Sequence, residues 1–202
     1  LMIQYKFYYF GPYLYKAKMN ENEIKQIKEI CLKDKSKQCN EYLAGLIKEE
    51  YTINKNKLFS VIEPYIQSYK RTIHQHWNLK INGELVLNKK PWVNFMTKFE
   101  SNPMHSHDCD VSFVIYLQIP DSLKKEYKNN ISNNSGPGVI NFMNKLNKEN
   151  LSINTQAFFP EVGDIFIFPA NLVHFVNSFT SNGERISVSG NLDIVNEKNS
   201  NK

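Results

Sequence analysis

No stretch of about 18 consecutive apolar residues occurs in the sequence, so no membrane-spanning helix is expected. The apolar opening, Met2 to Phe10, is too short and too aromatic for a secretory leader and has no small-residue cleavage site. Cysteine is scarce. Cys31, Cys39 and Cys109 are odd in number and unpatterned in spacing, which argues against a disulfide framework and for a reducing, cytoplasmic setting. The formal charge of +5 comes from lysines scattered along the chain. With no Lys/Arg stripe interleaved with aromatics, nucleic acid is not an expected partner, and neither is a membrane. Internal repeats and interdomain linkers are also missing. With 202 residues, 41% hydrophobic and 22% charged, the chain reads as one globular domain over residues 1–202.

Turn and periodicity signals divide that domain in two. Residues 2–16 read as short aromatic strands broken at Gly11-Pro12. A helix capped by Asn20 or Asn22 carries Ile24, Ile27, Ile30 and Cys31 at helical spacing. Residues 34–40 read as a polar loop, and 41–50 as a second short helix with Leu43, Leu46 and Ile47 on one side. A longer amphipathic helix is expected over 57–77, kinked or begun at Pro64. From Glu84 the chain turns β-rich, with strands at 85–87, 92–99, 111–119, 139–142 and 165–168, and two more begun by His174 and Arg185. Residues 120–135 and 143–156 read as polar loops, the first with room for a short helix, and 196–202 as a disordered tail. Residues 1–83 are then a helical support and 84–195 the β core, a sandwich or barrel with helices packed on one sheet.

Histidine is rare as well, five in all, yet three stand where metal ligands would. His105 and His107 lie at i and i+2, on one side of an extended chain, at the mouth of the apolar run from Val111 to Leu117. His174 starts a strand in the second half. With Asp108 and Asp110 close by, these residues are the best ligand set in the chain, and imidazole suits iron, zinc, copper or nickel. Two ligand sets stay open. Strand geometry gives His105, His107 and His174. Recruiting Asp110 beside His107 and His174 would need a turn or bulge, because i+3 puts it on the opposite face. His74 and His76 diverge by roughly 200° around a helix and are read as surface or capping residues. Arg185 opens the strand after His174, expected beside it in a meander and pointing into the same enclosure. Without an acidic partner its guanidinium invites a carboxylate-bearing ligand. Ser187 at i+2 and Tyr116 on an opposing strand can add hydrogen bonds.

From Pro91-Trp92 to Asn191 these pieces resemble the 2-oxoglutarate- and Fe(II)-dependent oxygenases, within them the prolyl-hydroxylase-like branch with viral and marine bacterial members. The resemblance rests on His-x-His-x-x-Asp before Ser112-Phe113-Val114-Ile115-Tyr116-Leu117, on Gly136-Pro137-Gly138-Val139-Ile140-Asn141-Phe142, on Pro160-x-x-Gly163-Asp164-Ile165-Phe166-Ile167-Phe168-Pro169, and on His174 and Arg185-Ile186-Ser187. The resemblance implies a mainly β (α+β) double-stranded β-helix, or jelly roll, over 84–195, with the N-terminal helices on one sheet. It implies Fe(II) held among His105, His107, Asp110 and His174. The cosubstrate 2-oxoglutarate would have its distal carboxylate on Arg185, Ser187 and Tyr116, and ascorbate is a further cofactor candidate. The activity implied is hydroxylation of a protein side chain or small molecule with release of succinate and CO2, in the cytoplasm, or the host cytoplasm if the chain is viral. Two alternatives stand beside it. One is a cupin-like metal enzyme that does not use 2-oxoglutarate, and the other a non-catalytic jelly-roll binding or structural domain. Arg185-x-Ser187 speaks against the first, because such an enzyme needs no internal carboxylate anchor.

Overall fold

The computed structural model describes residues 3–9, 11–33, 37–87, 89–144 and 155–196. In chain order the elements are β1 (Tyr5–Tyr9), β2 (Tyr13–Lys18), α1 (Glu21–Lys33), β3 (Lys37–Gln38), β4 (Glu49–Thr52), α2 (Lys55–Trp77), β5 (Glu84–Leu87), β6 (Trp92–Met96) and β7 (Asn102–His105). There follow β8 (Val111–Gln118), α3 (Asp121–Lys128), β9 (Ile140–Met143), β10 (Thr155–Phe158), β11 (Asp164–Pro169), β12 (Val173–Val176) and β13 (Arg185–Val195). Two antiparallel sheets face each other. The larger runs β1-β2-β11-β8-β13-β6-β4-β3, with β5 pairing β13 off that path, and the smaller runs β10-β9-β12-β7.

The continuous apolar run of β8 is explained by what covers its two faces. Phe113, Ile115 and Leu117 point to the outer face, where they join Ile24, Ile27, Leu58, Ile62, Tyr65 and Ile66 from α1 and α2. Val114 and Tyr116 point inward, against Phe142 of β9, Phe166 and Phe168 of β11 and Val176 of β12. A strand with apolar partners on both sides has no polar face to show, so alternation disappears from its sequence.

The helical layer forms for local reasons. Asn20 caps α1 reciprocally: its Oδ1 accepts the Glu23 N–H at 3.0 Å, while its own N–H donates to Glu23 Oε2 at 2.9 Å. Glu23 also accepts the Tyr65 hydroxyl at 2.6 Å, joining α1 to α2. Asn54 caps α2 by accepting from Asn56 N and Lys57 N, and Asn78 ends it in the left-handed conformation at φ 52°. Pro64 sits inside α2 without ending it.

Several expectations are corrected. Residues 41–50 are not a helix but a 3₁₀ turn, Asn40–Tyr42, followed by extended chain into β4. Partners elsewhere hold that chain out: Glu100 Oε1 accepts Lys48 N–H at 3.0 Å, Leu46 N–H bonds Ser101 O, and the Asn40 amide donates to Ile47 O. Leu46 is exposed as a result. The loop at 34–40 includes the short strand β3, with 34–36 outside the described residues. The strand at 92–99 stops at Met96, because Glu100 Oε2 accepts Thr97 N–H at 2.7 Å and closes a turn with Phe99 at φ 67°. Strand β10 occupies the end of the segment read as loop over 143–156, whose residues 145–154 lie outside the described set, as does the tail 197–202. Arg185 does not lie beside the His174 strand. Strand β13 sits in the other sheet, between β8 and β6, and reaches the same enclosure from across the sandwich.

The inner core is the part most sensitive to truncation. Phe142 is fully buried and its ring centroid lies 5.0 Å from Phe168 and 5.6 Å from Phe166. Phe142→Ala should cost about 3–5 kcal/mol in urea unfolding, as expected for an aromatic cavity between two sheets. A cost below about 1 kcal/mol would show that the sheets close over the gap.

Candidate active site

Antiparallel pairing of β7 with β12 sets His105 directly opposite His174, so both imidazoles leave the smaller sheet on one face. Beyond β7 the chain bends, and the His107 N–H bonds Ala170 O at 2.9 Å, which returns the third imidazole to the other two. Ring centroids are 4.2 Å apart for His105 and His174, 5.0 Å for His105 and His107, and 5.1 Å for His107 and His174. One ligating nitrogen from each lies within 4.8 Å of the others. His105 Nδ1 lies 2.7 Å from Pro103 O and His174 Nδ1 lies 2.9 Å from Leu172 O. A carbonyl can only accept, so both Nδ1 atoms carry the proton and both Nε2 atoms keep a free lone pair.

Electrostatics keep the set neutral. Burial pushes His174 down to about 3, helped by His105 and His107. His107 is pushed down to about 4, again by burial first and then by His105 and Lys89. Burial also lowers His105, against the raising effect of the Pro103 carbonyl. Three close neutral imidazoles are a donor set for a cation, and iron, zinc, copper and nickel all suit imidazole.

Asp110 is not brought to this group. It is exposed, its Oδ2 accepts the Ile194 N–H at 2.7 Å, and its backbone bonds Leu192 and Ala170. Asp108 is exposed as well. Among the described residues no other cluster of His, Cys, Asp and Glu has metal-holding geometry, and His74 and His76 on α2 take no part in one.

Across the sandwich, β13 lays Arg185, Ser187 and Ser189 along the inner face of the larger sheet, and all three line one cavity with the histidines, Trp92, Asn94, Asn102 and Tyr116. Ser187 stands opposite Asn94 on β6 and opposite Tyr116 on β8, after an irregularity in the β8 pairing that re-aims the strand. Arg185 is 2% exposed. Its Nη1 donates to Gly138 O at 3.3 Å, its guanidinium lies 5.5 Å from the centre of the Tyr116 ring, and its Nε has no partner. Burial lowers the Arg185 pKa, against a raising effect of Tyr116, and the same burial pushes Tyr116 up to about 12. A buried guanidinium without a carboxylate costs several kcal/mol, so the arrangement calls for an anion. The Tyr116 hydroxyl, Asn94 Oδ1 and Asn102 Oδ1 are likewise buried without partners. As folded, the cavity encloses about 30 Å3, room for about one water. Trp92, His105 and His107 are only half-buried and mark its open side.

Asn94 and Asn102 are the site residues that sequence reasoning missed. The available signal was parity. Asn94 is two residues from Trp92 and from Met96 in a strand whose register with β13 puts it beside Ser187, and that register is not written in β6 itself. Asn102 opens β7, three residues before His105.

Residues 90–191 of the chain match the sequence profile of the 2OG-Fe(II) oxygenase family. No curated protein sequence matches it. Among solved structures, the chain is similar to an oxidoreductase of the 2OG-Fe(II) oxygenase family from Burkholderia pseudomallei, at 14% identity and TM-score 0.55, over 90% of this chain and 82% of that one. It is similar to a Pseudomonas putida prolyl-4-hydroxylase at 12% identity and TM-score 0.55, over 90% and 92%. A prolyl hydroxylase from Trichoplax adhaerens, solved with a hypoxia inducible factor oxygen degradation domain peptide fragment, matches at 12% identity and TM-score 0.55, over 87% and 81%. At such identities the likeness is one of fold, and the fold is that of the jelly-roll 2OG oxygenases. With the profile match over the strands that carry the histidines and Arg185, the chain belongs to the 2OG-Fe(II) oxygenase family.

Proposed function

We propose that His105, His107 and His174 hold the Fe(II) of this oxygenase, and that Arg185, Ser187 and Tyr116 hold the distal carboxylate of 2-oxoglutarate, with hydroxylation of a C–H bond as the outcome. Membership of the family gives iron, 2-oxoglutarate and O2 as cofactor and cosubstrates of an oxidoreductase. The residue assignments rest on chemistry. Three neutral imidazoles suit Fe(II), although this family of reactions is usually run on two histidines and a carboxylate. The observation that carries the reading is Arg185, a buried guanidinium with its Nε unpartnered, in one cavity with the histidine cluster. A dicarboxylate would supply the missing negative charge and reach from the guanidinium toward the imidazoles.

Bound iron supplies the activation of O2 that couples oxidation of 2-oxoglutarate, to succinate and CO2, to insertion of the other oxygen atom into the substrate C–H bond. The chain's own part is placement and exclusion. Pro103 O and Leu172 O fix two imidazole rings, so those ligands need little reorganisation. Gly138 O holds one end of the Arg185 guanidinium, leaving the rest free for a bidentate grip. Phe168 and Ile140 in the cavity wall keep water away from that ion pair, which strengthens it.

The structural neighbours include prolyl hydroxylases, one solved with a peptide fragment. A protein side chain, prolyl or other, is therefore the substrate class we favour over a small metabolite. The open side of the cavity supports this choice, with the half-buried Trp92 ring 5.9 Å from His107 and the exposed Met104 beside His105.

Three outcomes are expected. Anaerobic titration of the Fe(II) protein with 2-oxoglutarate should give a weak visible absorption band, and air should then yield succinate. No band and no succinate would sink the reading. Arg185→Ala should weaken 2-oxoglutarate binding by about tenfold or more, the worth of a charge-assisted pair, and leave iron stoichiometry intact. Equal loss of both would make Arg185 a structural residue. His174→Ala should abolish stoichiometric iron by metal analysis, whereas His74→Ala should not change it.

A further inference from the structure

One row of polar side chains crosses the inner face of the larger sheet, from Glu50 to Tyr116. Register sets Glu50 of β4 directly opposite Asn94 of β6, Asn94 opposite Ser187 of β13, and Ser187 opposite Tyr116 of β8. Paired residues in an antiparallel sheet share a face, with Cβ atoms about 4.5–5.5 Å apart. Glu50 is 1% exposed, and Asn94 and Ser187 are buried too. Asn94 Nδ2 donates to Ser187 Oγ at 3.4 Å. That leaves two buried oxygens on facing residues, Glu50 Oε2 and Asn94 Oδ1, each without a partner. Two acceptors can satisfy each other only if a proton lies between them.

We propose that Glu50 is a positioning residue for the cosubstrate. As a neutral carboxyl it donates its O–H to Asn94 Oδ1, which turns Asn94 Nδ2 toward Ser187 Oγ and leaves the Ser187 hydroxyl proton to be donated to the 2-oxoglutarate carboxylate. The proposal rests on the reading that Arg185 and Ser187 hold that carboxylate.

The direction of the relay is what matters. Were Glu50 ionised, the Asn94 amide would turn its Nδ2 to Glu50 and its Oδ1 to Ser187. The serine would then donate to Asn94 and present only lone pairs to an incoming carboxylate, which repels them. The proton on Glu50 therefore decides whether Ser187 is a donor or an acceptor in the pocket.

The surroundings favour the proton. The charged or titratable groups that face Glu50 are the Glu100 carboxylate, from the turn after β6, and the Cys39 thiol, from the segment after β3. Across β6 and β13 the row offers an amide and a hydroxyl. Among the described residues no cation forms an ion pair with Glu50. Gly45 lies against it so closely that a Cβ there would stand 2.7 Å from Glu50 Oε1, so little space is left for solvating water. Burial, with Glu100 second, pushes Glu50 up from 4.5 to about 7.

Two series on the full chain test this. In the first, 2-oxoglutarate is titrated calorimetrically into protein saturated with Mn(II), at about pH 6 and about pH 8.5, for wild type, Glu50→Gln and Ser187→Ala. Wild type should bind about tenfold more weakly at the higher pH, the worth of one hydrogen bond to a charged group. Glu50→Gln keeps a donor toward Asn94 at every pH, so it should match wild type at the lower pH within about twofold and lose the dependence. Ser187→Ala should bind weakly at both and show no dependence. A wild-type slope retained in Glu50→Gln, or more than about tenfold loss by that variant at the lower pH, would overturn the proposal.

The second series is urea unfolding of metal-free protein. A carboxyl whose folded pKa is raised destabilises the fold as pH climbs from the unfolded value of 4.5 to the folded value of about 7. Stability of Glu50→Gln relative to wild type should therefore rise across that window and level off above it. No such rise would mean that Glu50 is ionised, and the relay would fall. If no protein binds 2-oxoglutarate, the reading of the cavity fails, while the urea series still decides the proton. If Glu50→Gln does not fold, the slope of wild type against that of Ser187→Ala decides instead: equal slopes overturn the proposal, and a slope confined to wild type upholds it.

Discussion

A strand has two faces and a period of two, and the central pair of the larger sheet, β8 with β13, has to satisfy opposite demands on them. Outward, Ile115, Leu117 and Val188 must meet the helical layer. Inward, Tyr116, Arg185 and Ser187 must meet a cavity that wants polar atoms. A one-residue slip would turn Arg185 toward the apolar outer core and Ile186 toward the cavity, which no adjustment of side chains could repair. The register of β13 is therefore the constraint on which the site depends. Helices α1 and α2 serve it by giving the outer face an apolar partner, and the smaller sheet serves it by bringing the histidines within reach of Arg185.

The inner face carries an unusual density of polar atoms that the protein alone does not satisfy. Such atoms cost free energy in the folded state and are kept where a ligand completes them. Their distribution resolves into two ends. The imidazole end is neutral and offers lone pairs to a cation. The guanidinium end offers donors to an anion. A ligand with a chelating head and a carboxylate tail would join them, and the charge balance is informative. Three neutral imidazoles leave both charges of a bound divalent ion uncompensated by the chain, whereas a set including a carboxylate would cancel one. In the proposed complex a dianion would do more of that work, tying the two ends of the cavity more closely than a ligand set with a carboxylate would.

Much of this was legible in the sequence, and what was not has an identifiable cause. His105, His107, His174, Arg185, Ser187 and Tyr116 all line one cavity, five of them from strands and His107 from the bend after β7. Asp110 was one of two options for the third ligand, and only the bend after β7, fixed by the His107 N–H to Ala170 O bond, shows it facing Ile194 instead. Residues 41–50 misled because Leu43, Leu46 and Ile47 have helical spacing. Their conformation is decided by Glu100 and Ser101, distant in sequence, which take up backbone groups that a helix would have used internally. The placement of β13 in the opposite sheet failed for a related reason. Adjacency in the chain suggested a meander, and the jelly roll passes successive strands between sheets. Asn94 and Asn102 were invisible because asparagine inside a strand carries no signal until its face is known.

The pairing scheme also bears on how the chain reaches its native state. Lys18 on β2 holds Asp164 on β11, 146 residues away, and Asn94 holds Ser187, 93 residues away. Apart from the β1–β2 hairpin and the short β3–β4 pair, the strand pairs of the larger sheet each close a long loop before they are rewarded, so the search is dominated by chain entropy. Helices α1 and α2 can form early from local signals, and they then present the surface on which β8, β11 and β13 collect. Until β13 docks, the flanks of β6 and β8 expose unpaired amides beside apolar side chains, the kind of edge that sticks to other molecules. The strand that completes the cavity is thus also the one whose docking closes both of those edges.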